Sequence, residues 1–394
     1  MVIGIDASRA NLEARTGTEW YAFHMIRGLI RNAHQRYQFV LYTKSPLRED
    51  WGPMPSSVTV KILRWPPGFF WTQLRLAWEM LWHLPDLLFV PAHTIPLVTP
   101  RRTITTLHDV GFEHFSKLYG QQTIGPRWLS PLVRLVTWGR YSSSELDYHR
   151  WSARLAIRKA LRIITVSEFS KREIIKTLRA VPASIQVIPC GYNMEYHQNY
   201  DPEAISGVRM KYGLPKTYFL FIGRIEQKKN IGVMLEAYFR YRSTGGTFDF
   251  AFAGSPGYGY EKFKQMIQHS SYESSIHNLG WVPTEDLPLL MNGSGAFIFV
   301  TSYEGFGIPV LEAMACGTPV LTAQDHATAE IAGDAALTVP SADPAAIAWG
   351  MHEISENQQL REMLKKRGLQ HVTKFSWEFS SELLTQCVDD SNKL

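Results

Sequence analysis

Two carboxylates, Glu304 and Glu312, lie eight positions apart in the otherwise apolar segment "SYEGFGIPVLEAMACGTPVLTA", residues 302–323. The run before Glu304, "GAFIFVTS", is rich in aromatic and β-branched residues and predicts a strand. "PVLEAMACG" predicts a helix, with Pro309 in its first turn and Gly317 at its C-terminal cap. Because ligands of α/β folds bind beyond the carboxyl ends of strands, Glu304 is predicted to lie at a ligand site.

The turn between this strand and this helix suits an anion. Gly305 and Gly307 leave backbone N–H groups uncovered, and a helix N-terminus favours negative charge. Glu312, about one turn into the helix, can accept hydrogen bonds from vicinal hydroxyls such as those of a ribose. The alternative is that Glu304 is an exposed loop residue and Glu312 a first-turn glutamate that the helix dipole favours.

Two cations follow another predicted strand in "FIGRIEQKKNI", residues 221–231. Arg224 and Lys229 are five positions apart there, and a planar guanidinium with a compact ammonium suits a diphosphate. Lys228 adjoins Lys229, and we adopt Lys229 because Asn230 follows it. An exposed basic turn is the alternative interpretation of this segment.

A third candidate, the pair His108 and Asp109, ends a predicted strand in "TTLHDVGFEHF", residues 105–115. His108 can hydrogen-bond a sugar hydroxyl, and Asp109 can fix the tautomer of the ring or position an acceptor. A histidine–aspartate dipeptide by itself is also compatible with a purely structural role.

Short β-rich runs alternate with amphipathic helical runs along the chain of 394 residues. This alternation, with near-continuous apolar strands, predicts an α/β fold whose parallel sheets are covered on both faces. Residues 187–216 lack a sustained period and form the predicted linker. It would separate two Rossmann-like domains, residues 1–190 and about 200–374, that face each other across a cleft.

Composition excludes several classes of protein. The net charge of +5 is too small to indicate a nucleic-acid partner, and three cysteines without a Cys-x-x-Cys spacing predict reduced thiols in a cytoplasmic protein. No Asp-x-Asp follows a predicted strand, so we expect no metal. The absence of Gly-x-Gly-x-x-Gly, Gly-x-Ser-x-Gly and Gly-x-x-x-x-Gly-Lys-Ser/Thr motifs argues against a dehydrogenase, a hydrolase and a P-loop enzyme.

The N-terminal half has a basic and aromatic character. "RWPPGFFWTQLRLAWEMLWHL", residues 64–84, is rich in Trp and Phe, and residues 121–179 contain 12 Lys/Arg against 4 Asp/Glu. Two interpretations are open: core helices with solvated charged faces, or an interfacial surface that contacts anionic lipid head groups.

The segment "EGFGIPVLE", with "AMACGTPV" after it, closely resembles the Glu-x7-Glu motif of retaining glycosyltransferases of the GT-B fold. It is similar to the group-1, family-4 type that includes mannosyltransferases. "FIGRIEQKKNI" and "LHDVGFEHF" match further motifs of that family, and the resemblance is strongest over residues 217–325. Residues 375–394 are similar to the C-terminal helix of the family, which crosses back onto the first domain.

The resemblance implies a role for each candidate. Glu304 would lie against the donor sugar, and Glu312 would bind the nucleotide ribose. Arg224 and Lys229 would hold the donor phosphates. Further donor contacts implied by the resemblance are the backbone of Phe306, Gly307 and Ile308, Val282 in the base pocket, Gly17 in the first loop, and His108 with Asp109 facing the sugar.

The function that the resemblance implies is a metal-independent retaining glycosyltransferase with no cofactor, in which a nucleotide-diphosphate sugar is the co-substrate. We expect a hexose donor, with GDP-mannose favoured, and a saccharide or lipid-linked saccharide acceptor in polysaccharide biosynthesis. A nucleotide-sugar epimerase of the same fold and a non-catalytic sugar-binding module are the alternatives. We expect a cytoplasmic protein that can contact the inner face of an anionic membrane.

Overall fold

The computed structural model describes residues 1–66, 69–119, 123, 142 and 144–393. The chain divides into two compact units. Unit 1 consists of residues 1–191 and 376–394, and unit 2 of residues 192–375. The family resemblance also implies that the N-terminal domain binds the acceptor and the C-terminal domain the nucleotide-sugar donor, and this assignment stays a prediction.

Unit 1 is built on a parallel sheet with the described strand order β3-β2-β1-β4-β5-β6-β7. The strands are β1 Val2–Asp6, β2 Gln38–Thr43, β3 Val58–Ile62, β4 Leu87–Val90, β5 Thr103–Thr106, β6 Arg162–Thr165 and β7 Ile185–Val187. The central strands β1, β4 and β5 are almost wholly buried, as expected for a parallel sheet covered on both faces.

The helices of unit 1 that precede its last strand cover this sheet. They are α1 Gly17–Ala33, α2 Ala77–Trp82 after a π-helical turn Trp71–Leu76, α3 Gly111–His114, α4 Ser116–Tyr119, α5 Glu145–Lys159 and α6 Glu168–Leu178. The apolar residues of helix α1 recur at spacings of three and four, as in an amphipathic helix. Its N-terminus is capped by Thr16, whose backbone N–H donates to Glu19 Oε2 at 3.1 Å, and its buried face packs Met25 and Leu29 into the core.

Unit 2 contains a second parallel sheet with the described strand order β10-β9-β8-β11-β12-β13. The strands are β8 Tyr218–Ile222, β9 Asp249–Ala253, β10 Ile276–Gly280, β11 Ala296–Phe299, β12 Val320–Ala323 and β13 Leu337–Val339. The helices are α7 Pro202–Lys211, α8 Ile231–Ser243, α9 Tyr260–Gln268, α10 Leu287–Gly293, α11 Ile308–Ala315, α12 Ala327–Ala332, α13 Pro344–Glu356 and α14 Gln358–His371. Both units therefore have the predicted α/β architecture with parallel sheets.

The predicted linker, residues 187–216, contains more regular structure than its sequence indicates. It begins with the last residue of β7 and includes helix α7. The Asp201 side chain accepts a hydrogen bond from the Glu203 backbone N–H at 3.0 Å, and Pro202 occupies the first turn. The helix was missed because it buries little besides Val208, so its apolar period is weak.

The aromatic segment, residues 64–84, has two different faces. Trp71, Leu76 and Met80 are buried in the core of unit 1. On the opposite side, Trp78 and Trp82 are 60% and 70% exposed. The segment therefore supplies both core residues and an exposed apolar surface, and contact of that surface with lipid stays a prediction.

Much of the predicted basic region, residues 121–179, lies outside the described residues, namely 121–122, 124–141 and 143. Across the ranges that the structure describes, no helix combines the length and the apolar character that crossing a bilayer requires.

The chain returns to unit 1 at its C-terminal end, where α15 Trp377–Asn392 packs along α1. Gly28 of α1 lies against Ser381, and a Cβ at position 28 would come 2.2 Å from the Ser381 Cβ. Arg36 and Tyr37, which follow α1, donate hydrogen bonds to the Asp389 carboxylate of α15 at 2.7 and 2.6 Å. The close approach of the two helices therefore depends on a residue without a side chain.

We expect Gly28→Ala to destabilise unit 1 by about 1–3 kcal/mol, because the added methyl group overpacks the contact between α1 and α15. Urea unfolding measures the loss. Gly207→Ala in α7 is the matched control, since a Cβ there meets nothing within 4 Å and stability should be kept or raised. Equal midpoints for Gly28→Ala and the unchanged chain would contradict the packing described here.

Candidate active site

Two predicted site residues meet at the carboxyl edge of the unit 2 sheet. The loops that follow the neighbouring strands β8 and β11 carry Lys229 and Glu304, whose side chains form an ion pair. The two side chains are only 19% and 14% exposed, and the Lys229 ammonium lies 5.5 Å from the centre of the Phe299 ring. Each charge is thus balanced by the other in a poorly solvated position.

Asn230 holds this loop in place and was not assigned a role from the sequence. Its backbone is left-handed, with φ of 63°, and the residue is 8% exposed. Its side-chain amide donates to the carbonyl groups of Val300 at 3.0 Å and Ser341 at 2.7 Å. Asparagine tolerates the left-handed conformation better than most residues do. An Asn immediately before a predicted helix was therefore the sequence signal that could have indicated this turn.

The N-terminus of α11 offers hydrogen-bond donors beside the ion pair. Gly307 precedes the helix with φ of 100°, and a Cβ there would come 2.8 Å from Thr328 Cγ2. Both the backbone conformation and the lack of space therefore require glycine at this position. Among the described residues, the backbone N–H groups of Phe306, Gly307 and Ile308 have no hydrogen-bond acceptor. This arrangement can bind an anion.

Glu312 lies one turn further along α11. Burial of its carboxyl group raises its pKa from the ordinary value of 4.5 to about 8, although part of the residue remains accessible. Burial, and after it the Glu312 charge, raises the pKa of Tyr196, a buried neighbour that the sequence did not indicate. A carboxyl group in these surroundings is short of hydrogen-bond donors, which ribose hydroxyls could supply.

Two further predicted residues of unit 2 stand apart from the ion pair. Arg224 follows β8, its side chain is 63% exposed, and its Nε lies 3.8 Å from a Glu226 carboxylate oxygen. Val282 is buried just after β10, and the preceding Trp281 is 70% exposed. The structure places both residues beyond strand ends of the same sheet, but it records no contact between them and Lys229 or Glu304.

The remaining predicted residues lie in unit 1. His108 follows β5; burial lowers its pKa to about 4, and it donates a hydrogen bond to the Pro91 carbonyl. Its Nε2 atom is buried without a hydrogen-bond partner among the described residues. The Asp109 carboxylate accepts the Gly111 N–H at 2.7 Å, and its charge acts on His108.

The first loop of unit 1 contains the predicted Gly17 and two arginines, Arg9 and Arg15. Gly17 opens α1 and is exposed, and a Cβ there would meet nothing within 4 Å. Arg15 is committed to the fold, because its Nη2 donates to Asp50 Oδ1 at 3.2 Å and its Nε to the Ala10 carbonyl at 2.7 Å. Arg9, in the same loop, is partly buried and forms no ion pair with the other residues that the structure describes.

Sequence reasoning also missed a histidine pair at the same edge of unit 1. His93 follows β4, and its Nε2 lies 2.8 Å from Nδ1 of His149 in α5. The Glu145 carboxylate lies 3.5 Å from the other ring nitrogen of His149. The signal was a histidine after a strand end in "FVPAHT", but its partner is 56 positions away and could not be identified from spacing.

The sequence matches two family models. One, described as "Glycosyl transferases group 1", matches residues 209–371, and the other, "Glycosyltransferase Family 4", matches residues 15–196. The O-antigen chain mannosyltransferase B of Escherichia coli is 30% identical over 279 residues, which are 70% of this chain and 67% of that protein. The chain belongs to glycosyltransferase family 4.

A second relative of this family 4 glycosyltransferase is the serotype-specific mannosyltransferase WbdA of Escherichia coli. It is 26% identical over 257 residues, 62% of this chain but only 29% of WbdA. The chain thus spans less than a third of that relative. The relatives confirm that this glycosyltransferase resembles mannosyltransferases.

Solved structures confirm the GT-B fold. HepE of Anabaena, in complex with UDP and glucose, superposes with a TM-score of 0.69 at 17% identity, over 98% of this chain and 99% of that chain. WaaG, a glycosyltransferase involved in lipopolysaccharide biosynthesis, gives a TM-score of 0.69 at 16% identity over the same shares. In the part of this glycosyltransferase that the structure describes, no group of three or more His, Cys, Asp or Glu is arranged to hold a metal ion.

We expect Glu312→Gln to stabilise the protein in a pH-dependent way. The folded pKa of about 8 exceeds the ordinary 4.5, so the unchanged chain loses stability relative to the variant as pH rises between these values. Below about pH 4 both side chains are neutral and the difference should vanish. Thermal unfolding at about pH 4, 7 and 9 measures the difference in stability between the variant and the unchanged chain.

Glu236→Gln, at an exposed position of α8, is the control and should show no such difference. A gap between Glu312→Gln and the unchanged chain that stays constant with pH would contradict the burial assigned to this carboxyl group.

Proposed function

We propose that this protein is a retaining, metal-independent glycosyltransferase that moves a hexose, with mannose favoured, from a nucleotide-diphosphate sugar to a saccharide or lipid-linked saccharide. One observation carries the proposal: the Lys229–Glu304 ion pair lies where the uncapped N-terminus of α11 begins, with Glu312 in the next turn. Support comes from HepE, solved with UDP-glucose, and from the O-antigen mannosyltransferase relative.

In the proposed reaction the bond between the anomeric carbon and the β-phosphate oxygen breaks. The diphosphate leaves with the electron pair, the acceptor oxygen bonds to the anomeric carbon on the same face, and its proton passes to the leaving phosphate. Free N–H groups at α11, with Lys229 and Arg224, stabilise the charge that develops on the diphosphate. Fixed cations and helix N–H groups supply the charge that a metal ion would otherwise provide.

The ion pair limits what Glu304 can do. Because Lys229 already compensates its charge, Glu304 is assigned to the donor sugar, where it accepts hydrogen bonds from hydroxyls and orients Lys229. When a diphosphate arrives, Lys229 can share its donors between the carboxylate and the phosphate. Glu304 is therefore not assigned as a nucleophile or a general base.

Recognition of the rest of the donor falls to other residues of unit 2. Glu312 accepts hydrogen bonds from the ribose hydroxyls, and the chain around Val282 lies against the base. In unit 1, the unpartnered Nε2 of His108 accepts a hydrogen bond from a sugar hydroxyl, which its neutral state permits.

The test begins with thermal-shift titration of the full chain with GDP-mannose, UDP-glucose and ADP-glucose, followed by turnover with the donor that stabilises it. Lys229→Met and Glu304→Gln should each lower turnover about 100-fold or more while the protein stays folded, since each removes part of the transition-state stabilisation. The anomeric configuration of the product, read by NMR, tests retention.

Lys262→Met, at an exposed position of α9, is the matched charge control and should leave turnover unchanged. EDTA should also leave turnover unchanged. Full activity in both site variants would refute the site assignment, and conversion of the donor sugar without an acceptor would identify an epimerase instead.

The proposal includes peripheral contact with an anionic membrane through the outer face of the aromatic segment. That face exposes Trp78, Leu81 and Trp82, and an exposed apolar patch with two tryptophans suits the interfacial region of a bilayer. The segment's acid, Glu79, is 7% exposed and is bonded to Lys61 at 2.6 Å and to Arg75 at 3.3 Å, whereas Arg64 in the same segment is exposed. The charge and the apolar surface together favour anionic lipid as the occupant.

We expect the double variant Trp78→Ser with Trp82→Ser to bind phosphatidylglycerol-containing vesicles about tenfold or more weakly, because its exposed indole surface is lost. Vesicle co-sedimentation measures the binding, with neutral phosphatidylcholine vesicles for comparison. Trp349→Ser, at a position 52% exposed in α13, is the control. Undiminished vesicle binding by the double variant would refute membrane contact through this surface. If the unchanged chain self-associates and the double variant does not, the surface binds a second copy of the chain, and membrane contact is likewise refuted.

A further inference from the structure

A cavity of about 490 Å³ lies in unit 1, between α1, the first turn of α15 and residues 51–55, which follow β2. Helix α1 supplies one wall of this α1 cavity, formed by His24, Arg27 and Arg31. None of the described residues that line it belongs to the candidate active site. Its volume falls within the range of about 300–1,000 Å³ in which proteins bind small organic ligands.

Part of the lining of the α1 cavity is apolar. Trp51 and Trp377 are buried, and the Trp51 indole N–H already donates to Asn11 Oδ1 at 3.1 Å, so Trp51 offers the cavity mainly carbon surface. The other apolar residues of the segment after β2 that line the cavity are Pro53, Met54 and Pro55. Flat apolar surfaces of this kind can pack against the C–H groups of a pyranose ring, whose hydroxyls remain free at its edge.

His24 brings polar atoms to the same cavity. Its ring stacks on Trp377, with ring centres 4.7 Å apart and planes at 4°, and on Trp20, with ring centres 5.6 Å apart and planes at 30°. Neither ring nitrogen has a hydrogen-bond partner among the residues that the structure describes. Burial, and after it the Arg27 charge, lowers the pKa of His24 to about 4. The imidazole is therefore neutral near pH 7 and offers one donor and one acceptor, either of which a hydroxyl group can satisfy.

The two arginines of the α1 cavity differ in their partners. Arg31 Nη1 lies 3.4 Å from Glu378 Oε1, and both side chains of this ion pair are more than half exposed. Arg27 is exposed, and its guanidinium lies 5.2 Å from the centre of the Phe23 ring. Within the described ranges Arg27 forms no ion pair and donates no hydrogen bond. Planar groups such as guanidinium and carboxylate can each bond two neighbouring hydroxyls, whereas one uncompensated arginine is little charge for a phosphate site.

We propose that the α1 cavity is a second saccharide-binding site, in which the pyranose rings of an oligosaccharide lie on Trp51 and Trp377 and their hydroxyls bond to His24 and Arg27. Apolar faces combined with neutral or planar polar groups favour a saccharide over an acyl chain, which would leave those polar groups unsatisfied. The site goes beyond the proposed transfer reaction, because it takes no part in the chemical step. It would hold a saccharide chain on the enzyme between successive transfers and so raise the effective concentration of that chain.

The test titrates the full chain with mannotriose, maltotriose and cellotriose, without any nucleotide sugar, and follows each ligand by NMR. Mannose is the single-ring comparison. At least one trisaccharide should bind about tenfold or more tightly than mannose, because a cavity of this size can bury more than one ring. If none of the three binds, or none binds more tightly than mannose, the proposal is overturned.

His24→Phe separates a binding role from a structural one. Phenylalanine keeps a planar ring for stacking on Trp377 but removes both nitrogens, without a change of charge near pH 7. The melting temperature should therefore stay or rise, whereas the trisaccharide should bind about fivefold or more weakly, as the loss of one neutral hydrogen bond predicts. A fall in melting temperature with undiminished binding would overturn the role given to His24.

Arg27→Met removes the uncompensated guanidinium and should weaken trisaccharide binding about threefold or more. Arg101→Met is the matched control, since Arg101 is an exposed cation of unit 1 outside the cavity, and it should bind like the unchanged chain. Undiminished binding by both His24→Phe and Arg27→Met would place the saccharide elsewhere on the protein and overturn the proposal.

Two other occupants of the α1 cavity are outcomes of the same set of variants. Self-association of the unchanged chain that Arg27→Met abolishes, without trisaccharide binding, would assign the cavity to a second copy. Binding to phosphatidylglycerol vesicles that Arg27→Met abolishes, again without trisaccharide binding, would assign it to lipid, and either result overturns the proposal. Because no nucleotide sugar is present, trisaccharide binding that His24→Phe weakens would stand even if the chain transfers no sugar and the proposed function fails.

Discussion

The ion pair between Lys229 and Glu304 joins two loops that leave neighbouring strands of one parallel sheet. Both loops turn sharply before a helix begins, and in both the turn is made by a left-handed residue, Asn230 before α8 and Gly307 before α11. The backbone reversal at these two positions carries a cation and a carboxylate to the same edge. The helix N-terminus and Glu312 are positioned for a ligand only because the pair and its two turns are in place.

The two units present different charge states at their strand ends. In unit 2 a buried ion pair and a carboxyl group with a raised pKa leave little net negative charge, so helix N–H groups can attract an anion. In unit 1 the Arg9 charge acts on the carboxyl groups of Asp6 and Glu19 as well as on the uncharged rings of His93 and His108. The strand ends of unit 1 therefore combine a cation with carboxyl groups, whereas those of unit 2 offer an ion pair and free helix N–H groups.

Local signals in the sequence were sufficient to place the residues of the unit 2 site. A strand end, a glycine and a helix start are encoded within a few positions, so Glu304, Glu312 and Lys229 could be located without knowledge of distant contacts. Alternating strands and helices were likewise sufficient for the two parallel sheets. Helix α7 was not predicted, because its capping residues rather than an apolar period define it.

Residues whose state depends on distant partners could not be assigned in advance. Arg15 in the first loop pairs with Asp50, 35 positions away, and no local pattern indicates that pairing. Tyr196 lies beside Glu312, and His149 beside His93, through tertiary contacts that no spacing rule reveals. Burial and pairing decide the charge of these groups, and both arise only once the fold is complete.

The return of α15 to unit 1 has a consequence for how the protein is made. The first 191 residues emerge from the ribosome long before residues 376–394, which complete the same unit. Until then the face of α1 around Gly28, which α15 later covers, stays exposed to water and to other nascent chains. Unit 2 can finish folding as it emerges, whereas unit 1 must wait until residues 376–394 emerge, so chains truncated before them would carry an uncovered helix that attracts chaperones and proteases.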